Sequence, residues 1–187
     1  MVSRSTQAGL GLFTALVVFG TAAGGLFALV FALAYGRIGY NPRGLAAFLA
    51  AAAFVTLVLV PNLKYPANPP AVGMAESIGY RTALYFFTIA SAVLGVVSAL
   101  QLRRVLLARL GAWDSAMVAA AVFAMLMALL LRLLPSLNEV PSAFPATLLW
   151  QFRISAMGIQ LLLWTSIGLI FGTLVARLPR IAPRPTA

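Results

Sequence analysis

The chain has 187 residues, of which 63% are hydrophobic and only 9% are charged, and its mean hydropathy is +1.02. A soluble domain carries roughly 25% charged residues, so this composition excludes an ordinary water-facing surface and predicts a membrane protein. Histidine and cysteine are absent and only 3 acids are present, which excludes a disulfide framework and a thiolate metal site and argues against an enzyme.

Five apolar stretches follow one another along the chain, and each approaches the ~20 residues that a helix needs to cross a bilayer. The first is too long for the apolar part of a signal peptide, so we interpret it as a retained helix. The second is the shortest, because Pro61 is expected to end it. The stretches lie at about 10–35, 44–60, 82–102, 115–134 and 154–176.

The predicted fold is therefore an all-α, polytopic membrane helix bundle with five transmembrane helices. We expect a short N-terminal tail at 1–9, a single transmembrane domain at 10–178 and a flexible C-terminal tail at 179–187. With five spans, 8 arginines share the side of the C-terminus and 4 or 5 basic residues share the other side. The positive-inside rule then predicts a bacterial inner-membrane protein with an external N-terminus and a cytoplasmic C-terminus.

The net charge of +10 comes from 13 basic residues that are spread through loops and helix ends, with no dense patch. Basic residues beside apolar segments set topology and contact anionic headgroups. We therefore expect the lipid bilayer, and no nucleic acid, as the partner of these charges.

Two proline-rich connections, 61–80 and 135–152, fall together on the external side of this topology. Proline fixes φ and removes a backbone donor, so the first connection is predicted to be stiff, either as an ordered vestibule or as plain turns. In the second, the aromatic rings of Trp150 and Phe152 favour the membrane interface. Its acid, Glu139, is expected either to pair with Arg153, Arg81 or Lys64, or to meet a cation.

Polar and small residues recur at helical spacing on one face of each helix that follows these connections. Lipid offers polar groups no partner, so this face should point to the bundle interior or to another subunit. Such a stripe fits either a polar path for a small solute or ion, or a packing seam. Its members are Arg81, Tyr85, Thr88 and Ser91 in the third helix, and Arg153, Met157, Gln160 and Trp164 in the fifth.

Two pairs of glycines four residues apart predict close helix packing, because small residues let helix backbones approach. One pair is Gly20 with Gly24, and the other is Gly168 with Gly172. Such faces also suit a homo-oligomer.

Three stretches carry unusual motifs in an order that spans most of the chain, from about 9 to 177. They are 64–73 (KYPANPPAVG), then 138–141 (NEVP) with 144–146 (FPA), and finally 149–150 (LW), 152–153 (FR) and 168–172 (GLIFG). Together they resemble the predicted cobalt transporter subunit family, CbtA.

This resemblance implies an integral membrane protein with about five spans that serves cobalt uptake for cobalamin synthesis. It implies a very small membrane partner with a histidine-rich end, which would supply the imidazoles that this chain lacks. Many family members carry a further apolar segment before the one that starts here at about residue 10, so we expect this chain to begin late. Cobalt is expected as the transported substrate, with no firmly bound cofactor.

The leading hypothesis is thus a permease-like subunit that admits a divalent metal ion with the help of a partner or an oligomer. A site without histidine and with few carboxylates would bind such an ion weakly by itself. The alternative is an accessory or structural subunit that packs in a larger membrane complex. The candidate oxygen ligands for the ion are Glu139, Glu76, Asn138, Asn62 and Asn68.

Overall fold

The computed structural model describes residues 3–70 and 72–178, and within them it is all-helical without strands. The predicted C-terminal tail at 179–187 lies outside the described residues. Within the described residues, four helices are long and apolar enough to cross a membrane. We label them α1 (4–34), α2 (Pro42–Lys64), α3 (Ile78–Leu133) and α4 (Ala146–Arg177).

Helix α1 starts before its predicted beginning, because the described part of the proposed N-terminal tail is already helical from Arg4. It ends where Tyr35 turns to an extended conformation (φ −60°, ψ 130°). Gly36 follows with φ +78°, a left-handed conformation that glycine adopts without steric cost and that commonly ends helices. In order, α1 consists of Arg4–Thr6, a π-helical stretch Gln7–Gly11 and Leu12–Ala34.

Helix α2 continues through Pro61 to Lys64, so the prediction that Pro61 ends it was wrong. Pro61 has no N–H and cannot donate to the carbonyl of Leu57, four residues earlier. The hydroxyl of Tyr85 donates to this carbonyl instead, at 3.2 Å. The residues before Pro61 also form a π-helix, Phe54–Leu59, in which the backbone hydrogen bonds span five residues instead of four. The regular α-helical hydrogen bonding is therefore already interrupted where the proline lies.

Helix α3 contains both the third and the fourth predicted spans, so the count of five transmembrane helices is not confirmed. It is broken at Gly111, whose φ of 77° and ψ of 178° are non-helical. The arms on either side, 78–110 and 112–133, pack together: a Cβ added to Gly95 would lie 3.0 Å from Met127 and 3.1 Å from Phe123. The sequence suggested a loop here, but a single glycine makes the connection.

Helix α4 begins at Ala146, directly after Pro145, and includes Trp150 and Phe152. The second proline-rich connection is therefore shorter than predicted, since nothing after Pro145 breaks a helix. The backbone N–H of Leu149 donates to the carbonyl of Pro145 at 3.1 Å, which closes the first turn of α4.

The chain divides into two compact units, and α2 and α4 contribute residues to both. In the first unit, whose described residues are 3–50 and 165–178, α1 packs on α4 through aromatic rings. The ring of Phe171 makes edge contacts with Phe27 and Phe31, with centroids 5.2 and 5.0 Å apart. Both α1 rings are buried, so this contact forms part of the core of the unit.

The second unit comprises Ala51–Trp164 and has its own apolar core between α2 and the two arms of α3. Val60, Ala92 and Met127 are buried at its centre, and Val55 and Phe123 pack against them. This core fixes the helix ends from which the two proline-rich connections leave.

Candidate functional site

The two proline-rich connections meet in the second unit. We call their described residues 65–70, 72–77 and 134–145, together with the basic side chains of Lys64, Arg81 and Arg153 that bind them, the loop cluster. The hydroxyl of Tyr65 donates to the carbonyl of Pro135 at 2.9 Å. Beside it, the Nζ of Lys64 contacts the hydroxyl of Ser136 at 3.0 Å. The sequence predicted that these connections would share one end of the bundle, and the structure brings them into direct contact.

Glu139 lies at the centre of the loop cluster with only 8% of its surface exposed. Its Oε2 accepts from Nη1 of Arg81, the first residue of the α3 stripe, at 2.7 Å. Its Oε1 accepts from the hydroxyl of Ser77. Of the alternatives that the sequence left open, the structure thus shows the salt bridge with Arg81. A buried carboxylate with a guanidinium and a hydroxyl on its two oxygens is fully engaged.

Gly73 makes room for this ion pair. Its φ of +141° is a conformation that side chains rarely allow. A Cβ at this position would also lie 3.4 Å from Oε2 of Glu139 and 3.7 Å from Nη1 of Arg81. Glycine here lets the first connection pass close to the carboxylate.

Arg153, which starts the α4 stripe, also binds the first connection but through neutral oxygens. Its Nη2 donates to Oδ1 of Asn68 at 3.0 Å, and its Nε donates to the carbonyl of Ala67 at 3.3 Å. Within the described residues it makes no ion pair with a carboxylate. Both stripes therefore begin with an arginine that holds a loop in place.

Three of the predicted oxygen ligands for a cation already accept hydrogen bonds within the described chain. The amide of Asn62 serves its own segment, since its Nδ2 donates to Val58 at 2.8 Å and its Oδ1 accepts from the N–H of Ala67 at 3.3 Å. Glu76 and Asn138 are exposed. The described residues contain no group of three or more acids, histidines or cysteines that could hold a metal ion. Asn62, Asn68 and Glu139 therefore make structural hydrogen bonds, and a role of the set in binding a cation stays a prediction.

The stripe on α3 lies on the packed side of its helix. Thr88 and Ala92 are fully buried, and Tyr85 and Ser91 are partly buried. The hydroxyl of Thr88 donates to the carbonyl of Leu84 at 2.8 Å, within its own helix. A threonine satisfied in this way can be buried without a partner on another helix.

On α4, the stripe residues Met157, Gln160 and Trp164 are partly buried, whereas residues 161 and 162 are exposed. The indole Nε1 of Trp164 is buried and has no hydrogen-bond partner among the described residues. A buried donor without a partner is unfavourable, so the stripe leaves one N–H group without a hydrogen-bond acceptor in the described chain.

The two glycine pairs behave differently. A Cβ on Gly168 would lie 2.6 Å from the Cβ of Ala50, and one on Gly172 would lie 3.0 Å from the Cβ of Ala46. This pair therefore forms a close contact between α4 and α2. At Gly20 and Gly24 an added Cβ would meet nothing within 4 Å, so the packing predicted for this pair is absent within the described chain.

Sequence reasoning missed three members of the loop cluster: Tyr65, Ser77 and Ser136. Each is a single hydroxyl in a polar segment, with no periodic pattern to single it out. The burial of Tyr65 is their clearest sign in the structure. This burial, and to a lesser extent the charge of Tyr80, raises the pKa of the Tyr65 phenol above its ordinary value of 10.0, so it stays a donor.

Four apolar helices, with a polar loop cluster in one unit, define a multi-pass membrane protein. The sequence model of the family described as "Probable cobalt transporter subunit (CbtA)" matches residues 1–176, and the chain belongs to this family. The resemblance in the loop motifs is thereby confirmed. No curated protein and no solved structure was found to match. Membership supports a role in cobalt transport, and the word subunit implies a partner in a transport system.

Proposed function

We propose that this chain is the integral membrane subunit of a cobalt uptake system and acts with a separate partner subunit. The observation that carries the proposal is the family match over residues 1–176, on a chain with four helices able to cross a membrane. The chain would provide the passage and its entrance, and it would not act as an enzyme. Cobalt would be transported rather than held as a cofactor.

For the arrangement in the membrane, we propose that the arms of α3 cross separately, which gives five crossings. The support is the break at Gly111 and the packing of Gly95 on Met127 across the two arms. The loop cluster and the N-terminus would then lie on the outer side of the bacterial inner membrane. Gly111 and the C-terminus would lie on its cytoplasmic side. Reporter fusions at residue 111 and at residue 137 should give opposite signals. The same signal at both positions would contradict five crossings.

A partner is part of the proposal because the chain has no histidine or cysteine, whose nitrogen and sulfur atoms are strong ligands for a divalent transition-metal ion. The oxygens of Asn68 and Glu139 already accept from arginines. Glu76 and Asn138 are the exposed oxygen donors at this end that an ion could meet first. To reach Glu139, an ion would have to displace Arg81. Imidazoles on a small partner would make entry easier, as would a homo-oligomer that joined several clusters.

The test is the cobalt content of cells with the gene, without it, and with defined variants. We expect deletion to lower cobalt accumulation and the wild-type gene to restore it. Glu139→Gln should restore it only in part, because the loop cluster loses its ion pair. Asp114→Asn is the matched control, since it removes an exposed acid on α3 outside the cluster. Equal cobalt content with and without the gene would refute the proposal.

The second candidate function is an accessory subunit of a larger membrane complex. The observation in its favour is that Glu139, Asn62 and Asn68 have hydrogen-bond partners within the chain, as in a purely structural element. Such a subunit would leave cobalt content unchanged and would co-purify in a fixed ratio with a large complex. Cobalt content and co-purification together therefore separate the two functions.

A further inference from the structure

The charges around the loop cluster are mostly positive. Lys64, Arg81 and Arg153 are basic, whereas Glu76 and Glu139 are the acids. Glu139 is occupied by Arg81. Among the described residues, the other two basic groups contact only neutral oxygens: Lys64 binds the hydroxyl of Ser136, and Arg153 binds an amide and a carbonyl. Within this part of the chain, two cations of the cluster are therefore ordered without a carboxylate partner.

Arg153 is the better placed of these two to bind a ligand. Its side chain is partly buried, and its hydrogen bonds to Ala67 and Asn68 hold the guanidinium in position. A guanidinium has five N–H donors, and two of its nitrogens are used here. A partly buried, preordered guanidinium that lacks a counter-ion is suited to a carboxylate or phosphate group, which it can bind through two parallel hydrogen bonds.

The same charges oppose a bare divalent cation. A hydrated dication that approaches the cluster meets basic residues at the head of both polar stripes, and the oxygens of Glu139 and Asn68 already accept from these arginines. A metal ion wrapped in a multivalent carboxylate carries net negative charge. It also brings its own oxygen ligands, so the chain needs neither histidine nor a group of acids to accept it.

We propose that the loop cluster binds the carboxylate groups of an anionic metal chelate through Arg153 and Lys64, so that cobalt arrives as an oxygen-donor complex and not as the free dication. This inference rests on the proposed function and names the substrate class of its entrance. Arg153 is the principal binding residue, and Lys64 adds a second positive charge. Arg81 stays with Glu139 and keeps the loops in place.

The experiment uses the full chain, purified in a neutral detergent, with calorimetric titration of four probes: citrate, the cobalt–citrate complex, cobalt chloride and inorganic phosphate. We expect citrate and cobalt–citrate to bind and cobalt chloride not to bind. Arg153→Gln should weaken binding about tenfold or more, in line with loss of a charge-assisted bidentate contact, and Arg153→Lys should retain part of the affinity. Arg109→Gln is the matched control, because Arg109 is an exposed arginine beside Gly111, outside the loop cluster.

Binding of cobalt chloride without citrate binding would overturn the inference, as would equal losses in Arg153→Gln and Arg109→Gln. Preference for phosphate, or loss of citrate binding in nanodiscs that contain phosphatidylglycerol, would assign the site to a lipid headgroup and overturn it too. Thermal unfolding without ligand shows whether Arg153→Gln folds, and Arg153→Lys provides the test if it does not. Cellular cobalt decides the proposed function separately, since a citrate site can persist in a chain whose deletion leaves cobalt unchanged.

Discussion

The contact between α2 and α4 in the first unit and the loop cluster in the second unit hold the chain together by opposite means. In the first, Gly168 and Gly172 lie against Ala50 and Ala46, whose methyl groups are the nearest atoms and leave no space for an added atom. In the second, hydrogen bonds from arginine and tyrosine side chains join two irregular segments. Close packing depends on the volume of each residue, whereas the cluster depends on charge and on hydrogen-bond partners.

The largest effect is expected from Gly168→Leu. Its Cβ would lie 2.6 Å from the Cβ of Ala50, so the helices must separate. Overpacking of this kind should lower the free energy of unfolding by about 3 kcal/mol. Denaturant unfolding in mixed micelles measures it. Gly24→Leu is the control, because a Cβ there meets nothing within 4 Å. Equal destabilisation by both variants would show that the close contact does not hold the unit together.

Glu139→Gln should have the next largest effect, lowering the free energy of unfolding by about 2 kcal/mol. Removing one member of a buried ion pair strands the other, and the cost is reduced here because 37% of the Arg81 side chain is exposed to water. Glu76→Gln, at an exposed position, should change stability little. The same unfolding assay applies, and a larger cost for Glu76→Gln would exclude Glu139 as the centre of the loop cluster.

The hydroxyl of Tyr85 should contribute about 1 kcal/mol to the free energy of unfolding. It donates to the carbonyl that Pro61 leaves without its usual donor. Tyr85→Phe tests this value by thermal unfolding. Pro61→Ala restores an N–H for the carbonyl of Leu57, so Tyr85→Phe should cost less in that background. If the losses in unfolding free energy of the two single variants simply add in the double variant, the Tyr85 hydroxyl does not replace the missing N–H of Pro61.

The smallest effect concerns alkaline pH. Burial raises the pKa of Tyr65 above the 10.0 of an exposed phenol. The stability from this group is complete below pH 10, and it is lost as the pH rises through the folded-state pKa. Unfolding measured between about pH 8 and 11 should therefore show less alkaline loss in Tyr65→Phe than in the wild type. The exposed Tyr40→Phe should behave as the wild type does, and an equal benefit there would remove Tyr65 as the cause.

Apolar runs and helical spacing were sufficient to predict where most helices lie. The predicted spans at 10–35 and 154–176 fall within α1 and α4 apart from one terminal residue, and both arginine-headed faces are on the less exposed sides of their helices. These features depend on neighbours within a few turns of one helix. The sequence also limited the partner of Glu139 to three basic residues or a bound cation, because only a few charges are present near the connections.

The features that sequence reasoning missed depend on contacts between distant segments. A proline usually ends a helix, but α2 continues through Pro61. The carbonyl that Pro61 leaves without its usual donor, that of Leu57, accepts from Tyr85, which is 28 residues from Leu57 along the sequence. Sequence alone could not tell that Glu139 pairs with Arg81 and not with Arg153, because this choice depends on the path of both connections in space. The short connection at Gly111 was hidden because an arginine-rich, helix-compatible segment precedes it, and only the backbone angles reveal the break.

The connection at Gly111 also bears on biosynthesis. Its backbone angles belong to a region that is almost exclusive to glycine, so a side chain there would strain the turn. Because a single residue separates the arms, the ribosome synthesises the second arm immediately after the first. The same short connection means that one arm cannot shift across the bilayer without moving the other. In the arrangement with five crossings, the pair would therefore leave the translocon as one hairpin, and a failed insertion would remove both crossings at once.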